Sequence, residues 1–276
     1  MDAPLLVNLL TQGNVDLNLS VLAWRDGEPL GLILIARQGW TSRIAGMGVI
    51  PEAQGQQVGW ALLQHAIAQA SERGDRFLEL EAFEQNTRAV KLYEKGGFRI
   101  LRRLYGWTLT AGGSEADHAP LIACDPLEVA RVIMAHGAPD LPWQVSGTAI
   151  ARIGAPSRAY QLENAFAVIS DPSRETIALR ALFVTPDHQR QGQGRRLIRA
   201  LWAEFPGKQW QIPQLCPQEF SGFFESLGFT RQSASGTNAP DFRPRRRYGG
   251  VRCRDRIPAK ICCIRRSLND PMYAPN

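Results

Sequence analysis

Apolar and polar positions in this chain recur with two periods, one near 2 and one near 3.6, and the changes between them mark its elements. Ile177–Val184 is a largely apolar run. Beyond a short polar turn, Leu197, Ile198, Leu201, Trp202 and Phe205 fall on one side of a helix. Earlier in the chain, Ser20–Trp24 and Leu30–Ala36 flank Asp26 and Gly27, which predicts a hairpin. Residues 5–20 read as the end of a helix and a loop. A third strand is expected over about Ser42–Ile50. A helix follows whose stripe is Leu62, Leu63, Ala66, Ile67 and Ala70, ending near Gly74. Phe77–Phe83 alternates as a strand, with Glu79 and Glu81 on one face and Leu78 and Leu80 on the other. Asn86 is a fitting N-cap and Gly96–Gly97 a fitting stop for the next helix, and Phe98–Thr110 reads as a closing strand. In the second half, a helix is expected near Pro126–Ala135 and strands near Tyr160–Ser170 and Thr176–Val184.

The turn after Val184 reads Gln189-Arg190-Gln191-Gly192-Gln193-Gly194. A strand, a glycine turn and a helix N-terminus make an anion site, because first-turn N–H groups lack partners and carry partial positive charge. Arg195 and Arg196 oppose the helix dipole there, which makes more sense with an anion bound. The spacing fits neither the Walker nor the dinucleotide fingerprint, since no Gly-Lys-Ser/Thr follows and Leu197 stands three beyond Gly194. The same design occurs 135 residues earlier: Val49, Pro51, Gln54 and Gly59 match Val184, Pro186, Gln189 and Gly194. That is an internal repeat of domain length.

The hexapeptide in its strand-turn-helix context resembles the acyl-CoA pyrophosphate loop of the GNAT superfamily of N-acyltransferases. The block Asn86 through Leu92, Tyr93, Glu94 and Lys95 to Gly97 and Phe98 is similar to that family's second signature, and Phe223–Phe229 is a weaker version of it. The resemblance covers roughly residues 20–110 and 160–230. It implies two tandem GNAT-like α/β domains, each a mixed, mostly antiparallel sheet flanked by helices. Their expected limits are 1–110, shortened at its start, and 121–230, joined by a small polar linker at 111–120.

The resemblance implies acetyl-CoA as acyl donor and an amine, small molecule or peptide, as acceptor. The donor would be held by Gly48, Val49, Gln54, Gly55, Gln56, Gln57, Val58, Gly59 and Trp60 in the first copy. In the second, Phe183, Val184, Gln189, Arg190, Gln191, Gly192, Gln193, Gly194 and Arg195 would hold it. Tyr93 would protonate the leaving thiolate, and Asn86 would order the pantetheine arm. Aligning Gly228–Phe229 with Gly97–Phe98 sends Tyr93 to Phe224 and Asn86 to Pro217, so the second copy lacks both groups. Its loop is nonetheless the better one by sequence, because the first copy has Gln57 for Gly192 and no Arg or Lys between Gln54 and Gln64. Chemistry is therefore expected in the first copy, with the second a ligand-retaining partner. A non-catalytic acyl-CoA-binding protein is the alternative.

Charge and composition refine this picture. The net charge of +6 arises from Arg231 onward, where eleven Lys/Arg meet three Asp; the first 230 residues are net −2. Residues 231–276 are expected to be a disordered basic tail without a strand. Only Phe242 and Tyr248 interleave the Arg243–Arg256 run, so a solvated tail is favoured over a nucleic-acid contact. Five cysteines, odd in number and without ligand spacing, read as free cytosolic thiols rather than a metal site. The apolar stretches are too short to cross a membrane, and Asp2 follows Met1 without a basic leader, so a cytoplasmic protein is expected, monomer or homodimer. Glu79 and Glu81 could serve as a base through water, but a solvated strand face is the simpler reading. Glu52 and Glu84 are weaker bases still. His65 and His188 read as structural or exposed.

Overall fold

A computed structural model of the chain describes residue 10 and residues 13–110, 118–138, 140–232 and 261–268. Its elements run β1 (Val15–Arg25), β2 (Glu28–Gln38), β3 (Thr41–Val49), α1 (Val58–Glu72), β4 (Phe77–Phe83), α2 (Thr87–Lys95) and β5 (Arg99–Leu109). They continue with β6 (Ile122–Cys124), α3 (Pro126–His136), α4 (Gly147–Ile150), β7 (Arg158–Leu162), β8 (Ala165–Ile169) and β9 (Thr176–Val184). The last are α5 (Gln193–Glu204), β10 (Gln209–Pro217), α6 (Ser221–Glu225), β11 (Thr230–Arg231) and β12 (Ile261–Ser267). Two compact units result: one runs up to Arg103 and includes β12, the other is Leu104–Gln232. These limits differ from those expected, because β5 is divided between the units and the C-terminal strand returns to the first.

In the first unit the strands lie in the order β1-β2-β3-β4-β12, with β12 next to β5. All characterised pairs are antiparallel except β3 with β4. The hairpin turn is as predicted: Asp26 and Gly27 have φ of 51° and 85°, the twist that joins two strands tightly. Strand β1 starts at Val15, which corrects the loop expected up to residue 20. An irregularity between Asp16 and Val21 hides the alternation. There the Ser20 hydroxyl donates to Asp16 O at 2.7 Å and accepts from Ile35 N at 3.0 Å.

The C-terminal strand is the larger correction. Where a disordered tail was expected, Ile261–Ser267 pairs antiparallel along the whole of β4. Cys262 and Ile264 enter the core with Ile33, Leu63, Leu78 and Leu80. On the opposite face Arg265 lies in register with Glu79 and donates to it at 2.9 Å, and Arg43 of β3 donates to Glu81 at 2.6 Å. The two glutamates are thus buried ion pairs rather than a solvated face. Burial pushes the Glu79 carboxyl up, and Arg265 opposes that shift. The Arg243–Arg256 run and the linker residues 111–117 lie outside the described residues.

In the second unit the order is β6-β7-β8-β9-β10-β5-β11, again mixed and mostly antiparallel, with only β9 and β10 parallel. The single strand expected over Tyr160–Ser170 is a hairpin, turning at Glu163 with φ of 54°. Glutamate is a poor marker for such a turn, which left Asn164 as its one sequence signal. Strand β10 carries Pro213, which argues against a strand interior; a register shift between Ile212 and Cys216 accommodates it. Helix α5 buries Leu197, Ile198, Leu201 and Trp202 against β7–β9, as its stripe predicts. Among the described residues no helix is long and apolar enough to cross a membrane.

Asp75 locks α1 to the sheet of the first unit. Its side chain is fully buried and accepts from Ser42 Oγ at 2.6 Å, Arg37 Nε at 2.7 Å and Arg73 Nη2 at 3.2 Å. Burial alone would raise this carboxyl; the bonds from Ser42 and Arg37 and the two guanidinium charges outweigh it and hold it below the usual range. A lowered carboxyl contributes stability above its unfolded value that is lost as pH falls through the folded one. Asp75→Asn is therefore expected to cost about 2 kcal/mol at pH 7. That difference from wild type should shrink in urea titrations carried out at progressively lower pH.

Candidate active site

The same wedge is built in both units. Strand β3 pairs with β4 only through Thr41–Phe77, Ser42–Leu78 and Arg43–Glu79, after which the strands part. Strand β9 pairs with β10 only through Thr176–Gln209, Ile177–Trp210 and Ala178–Gln211. Beyond these pairs, no further ladder pair joins β3 to β4 or β9 to β10 among the described residues. Each of these strands also carries one bulged residue opposite its antiparallel neighbour: Ala45 lies between Ile44 and Gly46, and Arg180 between Leu179 and Ala181. A bulge leaves its extra residue out of the ladder.

At the mouth of each wedge the loop backbone repeats nearly bond for bond. Gln54 Nε2 donates to Val49 O at 3.2 Å, as Gln189 Nε2 does to Val184 O at 3.0 Å. Gln56 Nε2 donates to Glu52 O at 2.8 Å, as Gln191 Nε2 does to Asp187 O at 3.0 Å. Two left-handed positions recur: φ is 83° at Gly55 and 64° at Gln57, and 61° at Arg190 and 82° at Gly192. Each loop thus keeps one glycine and strains one side chain, in swapped places. Gly59 and Gly194 sit inside the first turns, where an added Cβ would meet Val49 at 3.6 Å and Val184 at 3.4 Å. Gln57→Gly should relieve the left-handed strain and raise the stability of the first unit by about 0.5–1 kcal/mol, read as an upward shift in urea midpoint.

The two loops differ in the bonds their neighbouring cations make. In the first loop, Gln54 Oε1 accepts from Arg88 Nη1 at 3.0 Å and Gln56 Oε1 accepts from Arg25 Nη1 at 2.8 Å. Each glutamine therefore closes the loop with its amide N–H and positions an arginine with its carbonyl. Arg25 comes from the end of β1 and Arg88 from the first turn of α2, so no reading confined to the loop could find them. In the second unit the first-turn cations are already engaged. Arg195 donates to Ser226 Oγ at 2.8 Å, Arg196 pairs with Glu163 at 2.6 Å, and Gln193 accepts from Asn164 N at 3.1 Å. Glu219 stands where the alignment places Arg88.

The signature helices superpose in their hydrogen bonds as well. Phe98 N donates to Tyr93 O at 3.0 Å and Phe229 N to Phe224 O at 3.1 Å; Gly97 and Gly228 donate to Glu94 O and Glu225 O, both at 2.9 Å. Tyr93 therefore corresponds to Phe224, as aligned. Tyr93 is 8% exposed, and its ring lies 5.9 Å from Phe98. Burial pushes its hydroxyl up from the usual value near 10, so it is protonated at neutral pH. Phe224 instead packs among Trp107, Phe223 and Phe229. Asn86 caps α2, its Oδ1 accepting from Ala89 N at 3.2 Å, which leaves its amide N–H groups without a partner among the described residues.

The remaining candidates separate cleanly. His188 Nδ1 shares a hydrogen bond of 3.0 Å with Thr185 Oγ1 and closes its own turn. His65 lines an open cavity of about 480 Å³ beside the first loop, with Trp24, Arg25, Gln56, Gln57 and Ala61. Glu84 pairs with Arg103 at 2.8 Å. Lys95 lies over the Trp60 ring at 4.4 Å.

Two family models match the chain: the acetyltransferase (GNAT) family over residues 8–98, and an acetyltransferase (GNAT) domain over residues 157–231. The chain belongs to the GNAT acetyltransferase family and carries two of its domains in tandem. Among solved structures it is similar to a GCN5-related N-acetyltransferase from Kribbella flavida, at 17% identity over 70% of this chain, with a TM-score of 0.51. The chain spans 52% of that protein's length. It is also similar to a tandem GNAT protein from the clavulanic acid biosynthesis pathway, at 12% identity over 91% of this chain and 83% of that one, with a TM-score of 0.52. A Pyrococcus horikoshii protein assigned as an acetyltransferase gives a TM-score of 0.59 at 12% identity, over 96% of this chain and 77% of that one. At these identities the likeness is one of fold. No curated protein sequence matches the chain.

Proposed function

We propose that the first unit transfers the acetyl group of acetyl-CoA to a primary amine, of a small molecule or a peptide. The supporting observation is the wedge between β3 and β4, with the α1 N-terminus and two positioned arginines at its mouth. The pyrophosphate takes the N–H groups of Gln57–Trp60 and the charges of Arg25 and Arg88. The pantetheine arm runs along the unpaired edge of β3, with the Asn86 amide donating to it. Its thioester reaches the bulge at Ala45, where a small side chain leaves room for acetyl and the backbone N–H polarises the carbonyl. The amine attacks the carbonyl carbon and the C–S bond breaks. The thiolate takes the Tyr93 proton, and the substituted ammonium releases one to solvent. Unpaired thiols at Cys124, Cys216, Cys262 and Cys263 suit a reducing compartment, and we place the protein in the cytoplasm.

The test couples acetyl-CoA binding by calorimetry with thiol release in the presence of a panel of amines. Arg88→Ala is expected to weaken acetyl-CoA binding about fivefold, and more at low ionic strength, since the contact is exposed and charge-based. A second reading is favoured by the loss of Tyr93 and Asn86 equivalents at Phe224 and Pro217: the second unit binds an acyl-CoA without turning it over. Acetyl-CoA binding with no thiol release from any amine would extend that reading to the whole chain.

A further inference from the structure

Arg180 is the bulged residue of β9, two positions beyond the last pair joining β9 to β10. The same place in the first unit holds Ala45. Its Nε is buried without a hydrogen-bond partner, and no carboxylate of the described residues pairs with it. Arg43 and Arg265 also lie inward, and each is tied to a glutamate, Arg43 to Glu81 and Arg265 to Glu79. On β10, three positions beyond the same last pair, Gln214 is 7% exposed, and its side chain lies over Gly106 of β5. Burial also lowers the readiness of the Arg180 guanidinium to hold its charge. A half-buried guanidinium without a counter-charge gains most from a carboxylate that it can bond in a bidentate way. Arg180 lies four residues from Val184, about 13 Å along the strand, so a ligand lying along β9 from the loop brings its far end to this side chain.

We infer that the wedge of the second unit binds a carboxylate at Arg180, carried on the acyl end of a CoA thioester of a dicarboxylic acid. The loop half of this inference rests on the reading of Gln189–Gly194 as a CoA phosphate loop; the carboxylate half rests on Arg180. The second unit is then a selective acyl-CoA holder, distinct in acyl preference from the first, where Ala45 offers a carboxylate no charge.

The test titrates succinyl-CoA, acetyl-CoA, CoA and free succinate into wild-type protein, Arg180→Met and Gly192→Asp. Succinyl-CoA is expected to bind about tenfold more tightly than acetyl-CoA, the scale of one charge-assisted contact. Arg180→Met should abolish that preference while leaving CoA affinity unchanged, and should not lower the melting temperature of the unliganded protein. Equal binding of succinyl-CoA and acetyl-CoA, both weakened by Gly192→Asp, would leave the loop reading intact and overturn the carboxylate site. Binding of free succinate that depends on Arg180, with CoA thioesters indifferent to Gly192→Asp, would keep the carboxylate site and overturn the loop. A fall in unliganded melting temperature for Arg180→Met, together with an unaltered acyl preference, shows a structural arginine and sinks the proposal.

Discussion

Replacing Tyr93 by phenylalanine is expected to lower the rate of thiol release by about 10²–10⁴-fold while acetyl-CoA affinity stays unchanged. The size follows from the leaving group. A thiolate of pKa near 8.5 is a poor leaving group beside an amine that can return to its starting state, and protonation as the C–S bond breaks removes that return. Tyr93 can supply the proton because burial keeps its hydroxyl protonated well past neutrality. The substitution deletes one oxygen and leaves the packing against Phe98 and the main-chain bond from Phe98 N in place. Stopped-flow detection of free thiol, beside calorimetric binding of acetyl-CoA, separates the two effects. Unchanged turnover would remove Tyr93 as the acid. The pH profile gives a second check: a group that must be protonated supports activity below its own pKa and loses it as pH rises through that value. The Tyr93 limb should therefore lie above pH 10, clear of any rise caused by deprotonation of the amine.

Truncation of the chain after Gln232, which removes β12, is expected to prevent cooperative folding of the first unit. Strand β12 supplies Cys262 and Ile264 at 0% and 1% exposure, pairs with β4 over seven residues, and neutralises Glu79. A milder form is Ile264→Ala, expected to cost about 2–5 kcal/mol, a large share of the roughly 5–15 kcal/mol that stabilises an ordinary domain. Thiol labelling reports the outcome directly. Burial pushes Cys262 up to about 11 and Cys263 up to about 12, so neither is a thiolate at neutral pH while β12 is in place. Ile264→Ala should speed their alkylation in proportion to the population that has opened. Wild-type labelling rates and an unshifted denaturation midpoint in Ile264→Ala would count against β12 as a structural strand of the first unit.

How legible each feature was depended on the distance between the residues that make it. The two loops, the helices that follow them and the strand of Phe77–Phe83 are specified by neighbours within a dozen positions, and periodicity with glycine placement was enough. The offset of 135 between the loops was equally plain. It extends to bonds no alignment displays, such as the paired glutamine bridges to Val49 O and Val184 O. Strand β12 was hidden because its partners lie about 180 positions away and its apolar start is cut short by Arg265 and Arg266. Arg265 is explicable only once it stands beside Glu79. Arginine beside arginine at the chain's end reads as solvated tail until the acidic strand it covers is known.

The sequence by itself determined the family, the repeat, the loss of tyrosine and asparagine from the second copy, and the residues of both loops. Those follow from local patterns and side-chain chemistry, which a linear reading preserves. The tertiary structure alone decided which partners the arginines near the two loops bond. Arg25 and Arg88 reach the first loop through Gln56 and Gln54, while Arg195 and Arg196, adjacent to the second loop in sequence, turn to Ser226 and Glu163. Charge near a site in sequence is not charge at the site, because a long side chain settles on whichever partner the packing offers it. The offset of 135 also pairs Ala45 with Arg180, and only the fold shows that each is the bulged residue of its strand.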